Sequence, residues 1–411
     1  MVSASTSIKT IDFQVCSFLL NVLFKNLNIP KQSQRTKRLP ILLSRKFCQL
    51  KPFKIRYQDV LAQLDHIDPV LYGKTRNYIS GDVTYLSPYI SRGLISTKFI
   101  ANYFLKKGYA VNEIESFLQE LAWRDYWQQI WIARGEEING DLRQPQIRAE
   151  RSGIPKSIVL HQTGVEAIDK AIQEFYNTGY LHNHHRMYIA SLATNVARCA
   201  WLDPAKWMYY HLLDGDWASN ALSWQWVCGA KSNKLYFANQ ENINKYSETF
   251  QSGTFLDVSY EEIEAIAIPE QLMELEKFEL KTKLPETDFP IIQEGETCFI
   301  YNFYNLDPLW RKDDKGVRIL LLEPSVFEKY PVSEKSIQFC MDLAKENIPN
   351  IQIFTGEFSD LKNALNVTFV FKEHPLNRYE GIQDEREWMS TVKGEYSSFF
   401  SYWKKVKKEF L

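Results

Sequence analysis

Apolar residues recur at three- and four-residue spacing through most of the stretch 57–247. "IESFLQELAWRDYWQQIWIA" and "RMYIASLATNVARCAWL" are the clearest cases. That period places apolar side chains on one face of a helix. Helix breakers fall between such runs, at Gly81, Pro88, Gly135, Gly140, Gly164, Gly179, Pro204 and Gly215. The pattern predicts a helical domain over 57–247. Residues 248–296 are acidic and dotted with proline, which predicts a linker carrying a helix.

The character changes at about residue 297. "TCFIYNFY", "VRILLLEP", "IQIFTG" and "VTFVFKE" are short β-rich runs. Between the last three lie "SEKSIQFCMDLAKE" and "FSDLKNAL", which read as helices. Alternating strand and helix predicts a small α/β unit with a parallel sheet over 297–383. Its strand–helix junctions contain neither G-x-G-x-x-G nor a P-loop, so the sequence gives no support for a dinucleotide site there. The end, 384–411, closes on "SSFFSYWKKVKKEFL", a basic amphipathic segment expected to dock as a helix.

Composition adjusts this picture at a few points. The chain has 411 residues, 45% of them hydrophobic, enough for more than one packed unit. Its formal net charge of −1 gives no global signal for nucleic acid, so a DNA contact would need a local groove. Aromatics make up 14%, which suits flat ligands, although core filling is the ordinary role of each ring. The six cysteines show no metal-ligand spacing and no disulfide framework. No apolar run reaches the length of a membrane span. Residues 1–56 carry 11 Lys or Arg against the single acid Asp12. They are expected to be a disordered leader or an organelle transit peptide, giving a cytoplasmic or an organellar protein.

Several clusters carry chemistry. In "GDVTYLSPYISRGLIS", Thr84 and Ser87 stand at or just before a helix start, with Arg92 following. Such hydroxyls cap helices and also bind anions. "QELAWRDYWQQIW" sets Glu120, Trp123 and Trp127 on one face, and a buried carboxylate there needs a partner. "GYLHNHHRMYIAS" brings together His182, Asn183, His184, His185, Arg186 and Met187. No carboxylate or cysteine sits at a matching offset, so a metal site is not expected. Arg186 needs a carboxylate if buried, and Asp214 and Asp216 of "LLDGDWASNALSWQWVCG" are the obvious suppliers.

Together these segments resemble the flavin-binding helical domain of the photolyase/cryptochrome family. The resemblance runs from Tyr57 to Ser247 and rests on four separated motifs in the family's order. It implies a mostly α-helical FAD-binding domain of photolyase/cryptochrome type, followed here by the small α/β unit. The family's usual N-terminal α/β antenna domain has no counterpart ahead of the helical region. The resemblance further implies FAD as cofactor. Thr84 and Ser87 would meet its phosphates, with Tyr72 nearby. Asp214 and Asp216 would hold the ribityl and isoalloxazine groups, Arg186 would pair with Asp214, and Asn220 would face flavin N5. Asn183 is assigned to both cofactor and substrate.

In the family's repair enzymes, photoexcited reduced flavin passes an electron to a flipped-out pyrimidine dimer, whose cyclobutane ring then splits. Trp123 and Trp226 match the aromatic walls for such a dimer, and Glu120 the carboxylate at a thymine edge. Asn183 and Met187 match cyclobutane-dimer enzymes, and His184 takes a place where an arginine often meets a DNA phosphate. Trp224 and Trp201 match the first two members of an inward electron chain. The third has no tryptophan at its usual place, leaving Trp207, Tyr209 and Tyr210 as substitutes. The expected function is a monomeric deoxyribodipyrimidine photo-lyase acting on damaged DNA. The alternative is a photosensing or redox flavoprotein that binds a protein partner and repairs nothing.

Overall fold

The computed structural model describes residues 52–411. The basic leader lies almost wholly outside them, as do Cys16 and Cys48. The other four cysteines are buried free thiols.

The helical region opens with α1 (Tyr57–Leu64), α2 (Pro69–Thr75), α3 (Ser87–Ser91) and α4 (Thr97–Lys106). Local chemistry fixes the starts. Asp68 accepts from the amides of Val70 and Leu71 and is followed by Pro69, and Ser96 accepts from Phe99. The long helix α5 (Glu115–Arg134) is the axis of this part, ending at Gly135 with φ 54°. After α6 (Glu166–Thr178), α7 (Asn183–Ser191) runs into a buried π-helical turn, Leu192–Val196. Asn195 ties that turn to the carbonyls of Val227 (3.0 Å) and Tyr236 (2.7 Å). Then follow α8 (Leu202–His211), α9 (Trp217–Val227) and α10 (Gln240–Ser247). The acidic stretch folds as a short helix, Tyr260–Ile263, and a two-residue strand pairing Leu275–Glu276 with Ile154–Pro155.

The C-terminal sheet holds β1 (Thr297–Tyr301), β2 (Val317–Leu322), β3 (Gln352–Thr355), β4 (Thr368–Lys372) and β5 (Ile382–Asp384). Its order is β3-β2-β1-β4-β5 and every pair is parallel. The expected parallel α/β unit is therefore present, with β5 as an edge strand that the sequence did not announce. Alternation along the strands sorts side chains to two faces. Cys298, Ile300, Ile319 and Leu321 share one core with Phe358 and Leu361 of α12 (Phe358–Ala364). Phe299, Tyr301, Leu320 and Leu322 share the main core with the helical region and with α11 (Glu334–Asn347). Both faces are covered, as a parallel sheet requires.

Two contacts lock the sheet unit to the helices. At the start of α11, the Ser333 amide donates to the Tyr210 carbonyl (2.8 Å), and Lys335 Nζ donates to the carbonyls of Tyr176 and Asn177. At the loop after β1, Tyr304 shares a 2.6 Å hydroxyl hydrogen bond with Tyr209, and Leu306 N donates to Arg92 O. Gly93, at φ 65°, makes this approach possible: a Cβ there would lie 2.4 Å from the Tyr304 carbonyl oxygen. The C-terminal helix α13 (Phe399–Val406) packs on α5. No helix among the described residues is long and apolar enough to cross a membrane.

Gly93→Ala should cost roughly 2 kcal/mol or more, from left-handed backbone strain plus the clash with Tyr304. Chemical denaturation checks this; an unchanged midpoint would mean that the loop after β1 does not sit on Gly93.

Candidate functional site

The site grows from the place where α3, α7 and the turn before α9 meet. A tight turn at Leu212–Gly215 brings Asp214 inward. Its carboxylate accepts from Arg186 Nη2 at 2.8 and 3.0 Å, while Arg186 Nε is anchored on the Leu181 carbonyl (2.8 Å). Burial by itself would lift the Asp214 carboxyl. The Arg186 charge, its hydrogen bonds and the Ser87 hydroxyl outweigh that and hold it below the usual carboxylate range. The Ser91 hydroxyl donates to the Asp214 carbonyl (2.7 Å) and accepts from Arg124 Nη1 (2.7 Å). The asymmetry matters: the Asp214 side chain is 2% exposed, whereas Arg186 keeps 25% of its surface. The pair therefore presents its cation outward.

Arg186 lies over Tyr180 at 5.9 Å, and Tyr180 meets Tyr85 at 5.0 Å between ring centroids. Tyr85 has φ 53°, rare for a residue with a side chain and the kind of strain that clusters at binding sites. Tyr72 stands edge-on to Phe117 at 5.3 Å. The Tyr72 and Tyr180 hydroxyls are both pushed above the ordinary phenol range, chiefly by burial. Both rings nevertheless keep some solvent contact. Both rings are thus densely surrounded yet partly open to solvent. Glu120 has the same signature. It pairs with Arg76 at 2.9 Å and is 31% exposed, yet burial raises its carboxyl in spite of the arginine.

On the first turn of α7, Asn183 is exposed and its amide donates to the Met187 sulfur at 3.7 Å. His182 caps α7, accepting from the His184 amide through Nδ1 (3.2 Å). Burial lowers His182 and His184 to about 4 and His185 to about 3, so all three are neutral at pH 7. Among the described residues no group of three His, Cys, Asp or Glu could hold a metal ion.

Asp216 does structural work. It caps α9 through the Ser219 amide (2.8 Å) and accepts from Gln128 Nε2 (2.6 Å), so its two oxygens are engaged within the fold. Asn220, one turn on and 8% exposed, donates Nδ2 to the Ala205 carbonyl (2.9 Å). Its Oδ1 and second Nδ2 hydrogen are left to meet a ligand. The Ser219 hydroxyl and His184 Nδ1 are buried without a hydrogen-bond partner. Thr84 uses its hydroxyl in its own loop, accepting from the Leu86 amide (3.3 Å).

Of the tryptophans, Trp224 and Trp201 are buried, and Trp201 Nε1 donates to Asp141 (2.8 Å). Trp207 is enclosed by Phe175, Tyr176 and His211. Tyr209 faces Tyr304, and the Tyr210 hydroxyl donates to the Lys281 carbonyl. Trp226 is 41% exposed and free to stack on one face. Trp123 is otherwise placed than the sequence suggests. Phe399 of α13 lies flat against it, with centroids 3.7 Å apart and planes 9° from parallel. Sequence reading also passed over Arg76, Arg124 and Gln128. Arg124 was within reach, since it lies four residues from Glu120 on the same helix. Phe399 gave no local signal.

Acidification tests the buried pair. A carboxyl held below its unfolded value of about 3.8 stabilises the fold above that pH and loses this contribution as pH falls through the depressed folded value. Asp214→Asn should be less stable than the parent at pH 7, with the gap narrowing below about pH 4. A gap that stays constant from pH 7 to pH 3 would show that Asp214 is not held ionised by Arg186.

Comparison with known proteins points the same way. Residues 117–277 match the FAD binding domain of DNA photolyase. A deoxyribodipyrimidine photo-lyase of Streptomyces griseus is 31% identical over 161 residues, 37% of this chain and 33% of that protein. Another, from Alkalihalophilus pseudofirmus, is 25% identical over 223 residues, 50% of this chain and 45% of that one. The matched region thus spans a third to under half of these relatives. A cryptochrome structure from Synechocystis aligns over 47% of this chain and 44% of its own, with 22% identity and a TM-score of 0.42. Over residues 117–277, within and just beyond its helical region, the chain is thus similar to the FAD binding domain of DNA photolyase.

Proposed function

We propose that this chain is a FAD-binding flavoprotein of photolyase type, carrying out light-driven electron transfer to a cyclobutane pyrimidine dimer in DNA. The observation that carries the reading is the Arg186–Asp214 pair, which buries its carboxylate and leaves its guanidinium partly exposed, together with the side-chain amide of Asn220. A polar ligand with acceptors and donors fits that set.

Thr84 and Ser87 are assigned to the phosphates, with Tyr72 beside them, and Asp214 and Arg186 to the ring system. The Asp216 carboxylate supports the site by fixing the start of α9. Asn220 is assigned to flavin N5: one Nδ2 hydrogen goes to Ala205, and the amide keeps Oδ1 to accept and a second N–H to donate there. Bound FAD, when photoexcited in its reduced form, supplies the electron. Trp224 and Trp201 are assigned to the route by which the site is reduced. Asn183, His184, Met187 and Trp226 form the substrate side, with Glu120 set by Arg76.

One observation favours a second reading, a cryptochrome-like photosensing or redox flavoprotein that binds a protein partner. Phe399 covers Trp123. Its helix also buries Tyr402, Trp403 and Val406, and each such side chain contributes roughly 1.5–3 kcal/mol. Base stacking is worth about 1–3 kcal/mol and does not displace it. A dimer must therefore rely on Trp226.

The two readings separate when the visible spectrum of the oxidised protein is recorded and the protein is then reduced and illuminated with a dimer-containing oligothymidine. Loss of dimers supports repair, a protein that is yellow when oxidised but leaves the dimers intact supports the sensor, and a protein that is colourless when oxidised overturns both. Asn220→Asp should shift the visible spectrum of the photoreduced form. For the substrate walls, Trp226→Ala should lower dimer turnover about tenfold, while Trp123→Phe leaves it within about twofold. Equal losses in both variants would show that Trp123 is reachable by DNA.

A further inference from the structure

We infer that the cleft at the carboxyl end of the C-terminal sheet binds a small oxyanion, a carboxylate or phosphate group. This cleft shares Ser91, Arg124 and Asp216 with the surroundings of the proposed flavin site, but the inference does not rest on that reading.

Its position follows from topology. From neighbouring strands β1 and β4 the chain leaves in opposite directions, to β2 on one side and β5 on the other. The loops after β1 and β4 diverge, and parallel sheets open a ligand crevice at such a switch point. Here the crevice is a cleft of about 120 Å³. Asn305, His374 and Arg386 line it from the sheet unit; Ser91, Arg124 and Gln128 close it from the helices. That space has room for an oxyanion-sized ligand.

Hydrogen-bond accounting sets the ligand's class. The acidic groups on the lining already have partners. Asp216 takes Gln128 and the Ser219 amide, and Asp307 takes Lys372 (2.6 Å) and the Leu309 amide (2.9 Å). Glu373 takes Trp388 Nε1 (2.6 Å), and Glu387 takes the Ser96 hydroxyl (2.6 Å). Donors are left over. Asn305 is 7% exposed and its Nδ2 has no partner. His374 Nδ1 accepts from the Leu376 amide (3.3 Å), so the ring proton sits on Nε2, which is buried without a partner. Arg386 gives one guanidinium nitrogen to Gln128 Oε1 (3.0 Å) and lies over the Trp388 ring at 4.4 Å, while its backbone amide meets Glu373 Oε1 (3.4 Å). Beside the cleft, Arg92 is fully buried with Nε and Nη1 unpartnered. A surplus of donors around a guanidinium calls for an acceptor-rich anion. Gln128 would then link the anion's arginine to Asp216, the cap of α9.

Calorimetric titration of the full-length protein at low ionic strength tests this, with inorganic phosphate in one arm and malonate in the other. Saturable binding in either arm, weakened about tenfold by Arg386→Gln and by Asn305→Ala, supports the site and names its source. Arg386→Lys should keep part of the affinity. No saturable binding in either arm, or equal binding by folded Arg386→Gln and Asn305→Ala proteins, overturns it.

Discussion

Asp214 stays ionised inside this protein because Arg186 is held against it, and much of the helical architecture serves that pairing. A lone buried carboxylate would take up a proton or unfold its surroundings. The Leu181 carbonyl orients the arginine, Ser87 and Ser91 bring α3 to the carboxylate and its backbone, and Arg124 braces Ser91 from α5. The pair thereby draws three separated segments into one wall. Since the arginine alone retains exposure, that wall offers positive charge to whatever enters.

The C-terminal half completes α5 as well as adding a sheet. That helix buries Asp125, Gln128 and Gln129, polar side chains that would be costly without partners. The segment after β5 supplies them: the Met389 amide to Asp125, Arg386 to Gln128, and the Gly394 amide to Gln129. Further along, Trp403 and Lys407 both reach Glu115. Lys407 of the basic tail is thus paired within the molecule.

The same docking decides which aromatic surfaces remain for a ligand. Trp123 and Trp226 are equivalent in the sequence argument, since each is an indole in a family motif. In the folded chain one is stacked beneath Phe399 and the other is open. An indole offers the same attraction to a phenyl ring of its own chain as to a base. The intramolecular partner wins because the rest of its helix is already anchored.

What the sequence determined by itself was local in origin. The 3.6-residue period specified the helices, and unbroken apolar runs between helix-like segments specified a parallel sheet buried on both faces. The need of Arg186 for a carboxylate pointed to Asp214 and Asp216, and the fold pairs it with Asp214. Motif order carried the resemblance to the photolyase/cryptochrome family. Tertiary structure alone decided the rest: the Asp216 cap, the Glu120–Arg76 pair, the cover over Trp123 and the donor-rich cleft at the sheet's end. Each joins residues far apart along the chain. Periodicity reports the face on which a side chain lies, whereas its partner depends on packing between elements, which no local pattern encodes.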